Sequence, residues 1–145
     1  MEYRDIVMHE EENVAVIYLN RPEVRNALSL EMREELCHAL EKVEQDDRLR
    51  AVIITGQGKA FSAGGDLNAL KQLKPLEGRK RLITSQKVIF KILEFEKPII
   101  AAVNGPAAGA GFSFSLLCDF IFASDQAFFM QSFVNVGLIP DFAAL

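Results

Sequence analysis

The stretch Ala51-Val-Ile-Ile-Thr-Gly56, followed by Phe61-Ser-Ala-Gly-Gly-Asp-Leu67, is the strongest indication of the fold of this chain. A short apolar run rich in β-branched residues predicts a buried strand, and the glycines after it predict a tight turn before a helix. The pattern occurs a second time, where Ile99-Ile-Ala-Ala-Val103 leads into Asn104-Gly-Pro-Ala-Ala-Gly-Ala-Gly-Phe112. Two strand–turn–helix units in one chain indicate an α/β fold.

The two glycine turns also predict a binding chemistry. Small residues let the backbone approach a ligand closely, and the first amides of a helix have no intrahelical partner. Two helix starts that face one point can hold a negatively charged oxygen between two N–H donors, which is an oxyanion hole. The alternative interpretation is that these glycines serve only tight turns and helix–sheet packing.

The remaining elements follow from hydrophobic periodicity and from capping residues. The predicted strands are Ile6–Met8, Val14–Leu19, Ala51–Thr55, Ile99–Val103, Phe120–Ala123 and Ala127–Met130. The predicted helices run from an N-cap at Ser29 to about Gln45, over Leu67–Leu73, over about Leu82–Glu96 and over about Ala108–Leu117. A mobile polar connection is predicted over Pro75–Arg81, and Phe112, Phe114, Phe120 and Phe122 are expected in the core or lining an acyl pocket.

Composition limits the class of protein. The 145 residues predict a single domain over 1–145, and the net charge of −4 argues against nucleic acid or an anionic membrane as the main partner. No signal peptide and no run long enough to span a bilayer is expected, so a cytoplasmic location is predicted. Cys37 and Cys118 lie in apolar, helix-like surroundings and are predicted to be reduced core thiols, with no metal site. The apolar stretch Leu138–Leu145 at the end of the sequence suggests that further chain is absent.

Three separated motifs resemble the crotonase superfamily of enoyl-CoA hydratases and isomerases. They are Phe61–Leu67, the segment Pro98–Gly105 with Gly109-Ala-Gly111 and Cys118-Asp119, and Asn20–Leu28, which matches the first CoA-contacting loop of that family. The resemblance implies a spiral of β-β-α units, of which this chain is the N-terminal core portion without the C-terminal helical part. It also implies assembly as a homotrimer or a dimer of trimers, with an acyl-CoA as the small-molecule partner.

The same resemblance assigns site residues. The backbone N–H groups of Gly65 and Ala110 would hold the thioester oxygen as it becomes an enolate. The CoA-binding positions that it implies are Arg25, Ala27, Ala63, Gly64, Asp66 and Leu67. Among these, Gly64 would let the turn form, Asp66 would cap the next helix, and Arg25 would pair with a phosphate or be an ordinary surface arginine. Coenzyme A enters as part of the substrate, and no separate cofactor is expected.

Two departures from the family pattern bear on the reaction. Hydratases of this family carry two water-activating glutamates, and their positions hold Ser113 and Phe133 here. Neither side chain is a carboxylate base near neutral pH. The remaining carboxylate in range is Asp141, directly after Pro140, where isomerases of the superfamily place a single proton-shuttling acid. An enoyl-CoA isomerase is therefore predicted; the alternatives are a hydratase with an atypical base and a non-catalytic acyl-CoA-binding subunit, and Asp141 is alternatively only a helix cap.

Overall fold

A computed structural model describes residues 2–70, 74–140 and 142. The strands are β1 (Ile6–Glu11), β2 (Val14–Leu19), β3 (Ala51–Gly56), β4 (Ile99–Val103), β5 (Ala107–Ala108), β6 (Phe120–Ala123) and β7 (Phe129–Met130). The helices are α1 (Leu30–Gln45), α2 (Leu67–Leu70), α3 (Pro75–Leu93) and α4 (Ala110–Leu116), with 3-10 turns at Pro22–Val24 and Ser132–Val136.

A five-stranded mixed sheet in the order β1-β2-β3-β4-β6 forms the centre of the fold. β1 and β2 form the predicted antiparallel hairpin, and β2, β3, β4 and β6 then pair in parallel. Because parallel strands end at the same edge, the turns after β3 and β4 leave the sheet side by side. The α/β prediction is confirmed, and the sheet topology explains why the two glycine turns meet.

Helix α1 forms as its sequence predicts. Ser29 is the N-cap, and its Oγ accepts a hydrogen bond from the Met32 amide at 2.9 Å. Met32, Leu36 and Leu40 lie on one face at helical spacing and are almost completely buried in the core. α1 also packs against α3, the second long helix.

The prediction of a mobile connection over Pro75–Arg81 is wrong, because α3 begins at Pro75. A proline at the first helical position has its φ angle already set for a helix, and the Glu77 carboxylate accepts a hydrogen bond from the Lys74 amide at 3.1 Å. Arg81 and Ser85 extend the buried face of Val88 and Ile92 by one further turn. The segment 75–81 was predicted as a connection because its composition is polar. The buried side of this helix is partly made of long polar side chains, so it lacks the apolar pattern that indicates a helix.

Other element ends differ from their predicted positions. α3 stops at Leu93 rather than Glu96, and beyond it the Lys97 ammonium donates to the Val43 and Asp46 carbonyls at the end of α1. α4 begins at Ala110 rather than Ala108, since Ala107–Ala108 instead pair in parallel with Phe129–Met130. That pairing joins segments about twenty residues apart, which local periodicity does not reveal. Of the helix predicted over Leu67–Leu73, Leu67–Leu70 is observed, and residues 71–73 lie outside the described ranges.

The aromatic residues divide between core and surface. Phe114 is completely buried and Phe112 packs against the core, as predicted. Phe120 and Phe122 are 58% and 68% exposed, so their prediction as core or pocket residues is wrong. Both lie on β6, the last strand of the sheet, where no described element covers them. No helix in the described ranges is long and apolar enough to cross a bilayer.

Candidate active site

A cavity of about 430 Å³ lies where the two glycine turns meet. Gly65 of the first turn and Ala110 of the second both line it. The remaining wall comes from one face of α3 and from the segment 132–138. The structure therefore brings together the two backbone positions that the sequence singled out.

The two turns are joined by direct backbone hydrogen bonds. The Ala108 amide donates to the Ser62 carbonyl at 2.9 Å, and the Phe61 and Ser62 amides approach the Pro106 carbonyl at 3.1 and 3.2 Å. Gly64 lies at one of the close contacts between the turns. A Cβ at this position would lie 2.6 Å from the Ala108 carbonyl oxygen, and its φ of +91° disfavours any other residue.

The peptide bonds before Gly65 and Ala110 are both held through their carbonyl groups. The Gly64 carbonyl accepts from the Leu28 amide at 2.7 Å. The Gly109 carbonyl accepts from the Ser113 amide at 3.0 Å and from the Ser113 hydroxyl at 3.3 Å. Since the described peptide bonds are all trans, each N–H points away from the carbonyl that is held.

Neither of these two amides donates to a protein acceptor in the described ranges. Both residues border the same cavity. Two amide donors that reach one point are suited to holding a carbonyl oxygen that gains negative charge. Such a site needs only backbone donors and no side-chain donor.

The loop 20–28 lies against the first glycine turn. The Ala63 amide donates to the Arg25 carbonyl at 2.8 Å, which places both residues on the exposed rim of the site. Arg25 adopts a left-handed backbone conformation with φ of +53°, and Ala27 is buried beneath the loop. Leu67 is 47% exposed and lines the cavity.

Asp66 caps α2 as predicted, although the bond is long. Its Oδ1 accepts from the Ala69 amide at 3.4 Å, while its Oδ2 forms an ion pair with the Arg21 guanidinium at 3.2 Å. Arg21 also donates to the Ala27 carbonyl at 2.9 Å. The carboxylate of Asp66 therefore helps to connect the loop 20–28 with the first glycine turn.

The two departures from the family pattern both lie at the second glycine turn. Ser113 is completely buried, and its hydroxyl is engaged with the Gly109 carbonyl. Phe133 is only 6% exposed and lines the cavity. Its ring faces Gly109, where a Cβ would lie 3.9 Å from two ring carbons. Among the described residues that line the cavity, none is an aspartate or glutamate.

The predicted base, Asp141, lies outside the described residues. The chain on either side of it is described. Leu138 lines the cavity, and Phe142 is buried against the Phe114 ring at a centroid distance of 6.3 Å. The Arg33 guanidinium, which also lines the cavity, lies 5.1 Å from the centre of the Phe142 ring.

Sequence reasoning missed the polar residues contributed by the two long helices. Arg33 of α1 and Arg81 of α3 are 5% and 7% exposed, and both line the cavity. The Arg33 guanidinium donates to the Ser85 hydroxyl, which donates to the Arg81 carbonyl at 2.9 Å. The available signal was spacing, because Arg81 and Ser85 continue the buried face of α3. Both arginines therefore belong to the wall of the cavity.

Comparison with known proteins gives a consistent result. The sequence profile described as "Enoyl-CoA hydratase/isomerase" matches residues 9–145. The chain is 40% identical to a short-chain-enoyl-CoA hydratase from Clostridium acetobutylicum, covering 98% of this chain and 55% of that protein. It is 34% identical to a trans-2-decenoyl-[acyl-carrier-protein] isomerase from Streptococcus mutans, covering 100% of this chain and 57% of that protein.

The fold agrees with the same group of proteins. The crystal structure of an enoyl-CoA hydratase from a Polaromonas species superposes with a TM-score of 0.91 at 39% identity. The match covers 94% of this chain and 55% of that structure. The chain thus spans about half the length of the relatives that it matches.

Proposed function

Since the chain belongs to the enoyl-CoA hydratase/isomerase family, we propose that it binds an acyl-CoA thioester and stabilises the enolate formed from it. The observation that carries this proposal is the pair of amides of Gly65 and Ala110 at one cavity. As the α-proton leaves, negative charge collects on the thioester oxygen, and two preorganised donors lower the energy of that state. Losing one such donor typically raises the barrier by about 3–4 kcal/mol.

The reaction that these residues support best is isomerisation. A base removes a proton from C2 of a 3-enoyl-CoA, the electrons move onto the thioester oxygen as a dienolate, and the proton returns at C4. The double bond then lies between C2 and C3, and no water is consumed. Phe133 lining the cavity and Ser113 bonded to Gly109 support this choice, because hydration by the two-glutamate route needs carboxylates at both positions.

Asp141 is the proposed base. Two residues near it in the sequence support this choice: Leu138 lines the cavity, and the Phe142 ring lies 5.1 Å from the guanidinium of Arg33, which also lines the cavity. A single carboxylate that takes a proton and returns it elsewhere is sufficient for isomerisation. The rate should fall at low pH as the carboxylate becomes protonated.

The CoA part of the substrate is assigned to the exposed rim. Arg25 and Ala63 lie there, Ala27 lies beneath them, and Leu67 borders the cavity. The exposed Arg25 guanidinium is proposed to pair with a phosphate of the nucleotide. Gly64 and Asp66 contribute by shaping the turn between the rim and the cavity.

The test compares two reactions in the full chain. Formation of conjugated 2-enoyl-CoA from 3-hexenoyl-CoA measures isomerisation, and loss of conjugation in crotonyl-CoA measures hydration. Asp141→Asn should lower isomerase kcat by about a hundredfold or more, the typical contribution of a positioned acid–base group, and leave CoA affinity nearly unchanged. Asp125→Asn, at an exposed turn, is the matched control and should have no effect.

The outcomes separate the alternatives. Robust hydration of crotonyl-CoA that Asp141→Asn leaves unchanged would contradict the isomerase assignment and favour a hydratase with another base. The similarity to the short-chain-enoyl-CoA hydratase from Clostridium acetobutylicum supports this second function. Tight CoA binding without turnover of either substrate would instead indicate an acyl-CoA-binding subunit.

A further inference from the structure

We infer that Ser62 is a positioning residue that couples the loop 20–28 to the oxyanion peptide, by which we mean the peptide bond between Gly64 and Gly65. The inference rests on the proposed function. It gives a role to Ser62, which had none in the sequence motifs and does not line the cavity. It predicts that the orientation of the Gly65 N–H depends on buried hydrogen bonds that run from the loop to the first glycine turn.

The Ser62 hydroxyl joins the two segments directly. It is completely buried, donates to the Asn26 carbonyl at 2.8 Å and accepts from the Gly64 amide at 3.2 Å. One oxygen atom therefore holds a backbone group of the loop 20–28 and a backbone group of the first glycine turn. The Gly64 amide is the group directly before the oxyanion peptide.

Asn26 fixes the loop end of this connection. Its side chain is completely buried and satisfies three partners. Its Oδ1 accepts from the Arg21 amide at 2.9 Å, and its Nδ2 donates to the Gln57 and Ala60 carbonyls at 2.9 and 2.8 Å. Asn26 itself has a φ of +55°, so it lies at the turn of the loop. Its side chain thus holds this turn against the segment that leads into Ser62.

Hydrogen bonds hold Gly64 at both its amide and its carbonyl. Ser62 engages the Gly64 amide, and the Leu28 amide engages the Gly64 carbonyl at 2.7 Å. Because a peptide unit is planar, a bond to its carbonyl fixes the direction of the N–H of Gly65. The same bond polarises the amide, which makes its N–H a stronger donor.

These contacts distinguish positioning from simple packing. Loss of the Ser62 hydroxyl would leave the buried Asn26 carbonyl and Gly64 amide without this partner, and the turn would relax around Gly64. A small misplacement of a donor weakens the transition state, where the oxygen carries most charge, more than it weakens the ground state. We therefore expect kcat to change and KM to remain nearly constant.

The first measurement is the kinetics of Ser62→Ala with 3-hexenoyl-CoA. We expect kcat to fall by about 10- to 100-fold, the effect of misplacing a catalytic group, and KM to stay within about twofold. Ser115→Ala is the matched control, since Ser115 is equally buried and its hydroxyl donates only within α4, to the Phe112 carbonyl at 2.7 Å. It should keep the wild-type kcat even if its thermal stability falls.

The second measurement reports on the oxyanion donors without turnover. The infrared stretch of a ¹³C-labelled thioester carbonyl in bound butyryl-CoA should lie below its value in water for the wild type, because two amides polarise it. In Ser62→Ala the stretch should move back toward its value in water, and in Ser115→Ala it should not. Ser62→Cys keeps a weaker donor of similar shape and should be intermediate; it carries the test if Ser62→Ala does not fold.

The results separate this inference from the function on which it rests. A wild-type kcat and an unchanged carbonyl stretch in Ser62→Ala would overturn the positioning role, as would equal losses of kcat in Ser62→Ala and Ser115→Ala. If the wild type itself shows no shifted carbonyl and no turnover, the proposed function is wrong. That outcome is visible before any variant is compared.

Discussion

Two backbone amides, those of Gly65 and Ala110, border one cavity, and the carbonyl groups of the same peptides are held from behind. At the scale of single residues, the proposed stabilisation of the enolate thus depends on the orientation of two peptides. Ser113 illustrates the point. It stands where a hydratase carries a glutamate, and its hydroxyl bonds to the peptide that carries the Ala110 N–H.

Replacing Gly65 separates the N–H group from the shape of the turn. Gly65→Pro removes the donor and should abolish turnover, with a barrier increase of at least about 3 kcal/mol. Gly65→Ala retains the N–H, and a Cβ built there meets no atom within 4 Å, so it should keep most of the activity. Steady-state kinetics with circular dichroism as a folding control would measure both. Loss of activity in the alanine variant as well would indicate that the site needs space at this position more than it needs the N–H.

The two cysteines should differ in reactivity. Burial, together with the nearby Asp119 carboxylate, raises the pKa of the Cys118 thiol to about 12, and Cys118 is only 8% exposed. Half-buried Cys37 also has a raised pKa, for which burial is the main cause, but Lys87 and Lys91 oppose the shift. Since the thiolate is the reactive form, iodoacetamide at about pH 8 should label Cys37 much faster than Cys118 in the native chain.

Peptide mass spectrometry would measure the two labelling rates, and unfolding in denaturant should make them similar. The pKa shift also has a consequence for stability. Between about pH 9 and 12 the unfolded chain loses the Cys118 proton while the folded chain keeps it, so this group destabilises the fold as pH rises through that window. Equal labelling of both thiols in the native chain would contradict the buried position of Cys118.

At the scale of elements, α3 links the fold to the site. Its buried face packs on α1 and supplies Arg81 and Ser85 to the cavity wall. Its first turns, from Pro75, are the part of the helix that was not predicted from the sequence, because their composition is polar. α3 thus forms one wall of the site. Its N-terminal turns are stabilised by tertiary packing as well as by local capping.

Gly78 provides a direct test of this helix. It lies inside α3, and a Cβ built there meets nothing within 4 Å, so Gly78→Ala should stabilise the fold by about 0.5–1 kcal/mol through reduced freedom of the unfolded chain. Gly137 is the matched control. It has equal space around it but a φ of +71°, so Gly137→Ala should destabilise the fold by about 1–2 kcal/mol. Denaturant unfolding measures both, and a destabilising Gly78→Ala would contradict a helix over 75–81.

At the scale of the whole molecule, one end of the sheet is apolar and exposed. Strand β6 pairs with β4 on one side only, and all four of its residues are exposed. Phe128, Val134 and Ile139, which follow β6 along the chain, are also exposed, at 50%, 79% and 78%. Exposed apolar surface of this extent favours association.

We predict that copies of the chain associate through this surface. Sedimentation equilibrium should give a mass of three times the 16.2 kDa chain, or of a multiple of three chains. Phe122→Ser should weaken association, whereas Leu76→Ser on α3, where the leucine is equally exposed at 69% against 68%, should not. A monodisperse monomer at micromolar concentration would show that this expectation is wrong for the chain by itself.

By itself, the sequence determined the strand–turn–helix units, the hairpin, the N-cap at Ser29 and the family. These features depend on local periodicity, on glycine and proline, and on short motifs, so they can be read from neighbouring residues. The pairing of Ala107–Ala108 with Phe129–Met130, the exposure of β6 and the arginines of the cavity wall were decided only by the tertiary structure. They depend on which distant segments meet. A hydrogen bond such as that from Ser62 to Asn26 joins residues 36 positions apart, and only the folded chain brings them together.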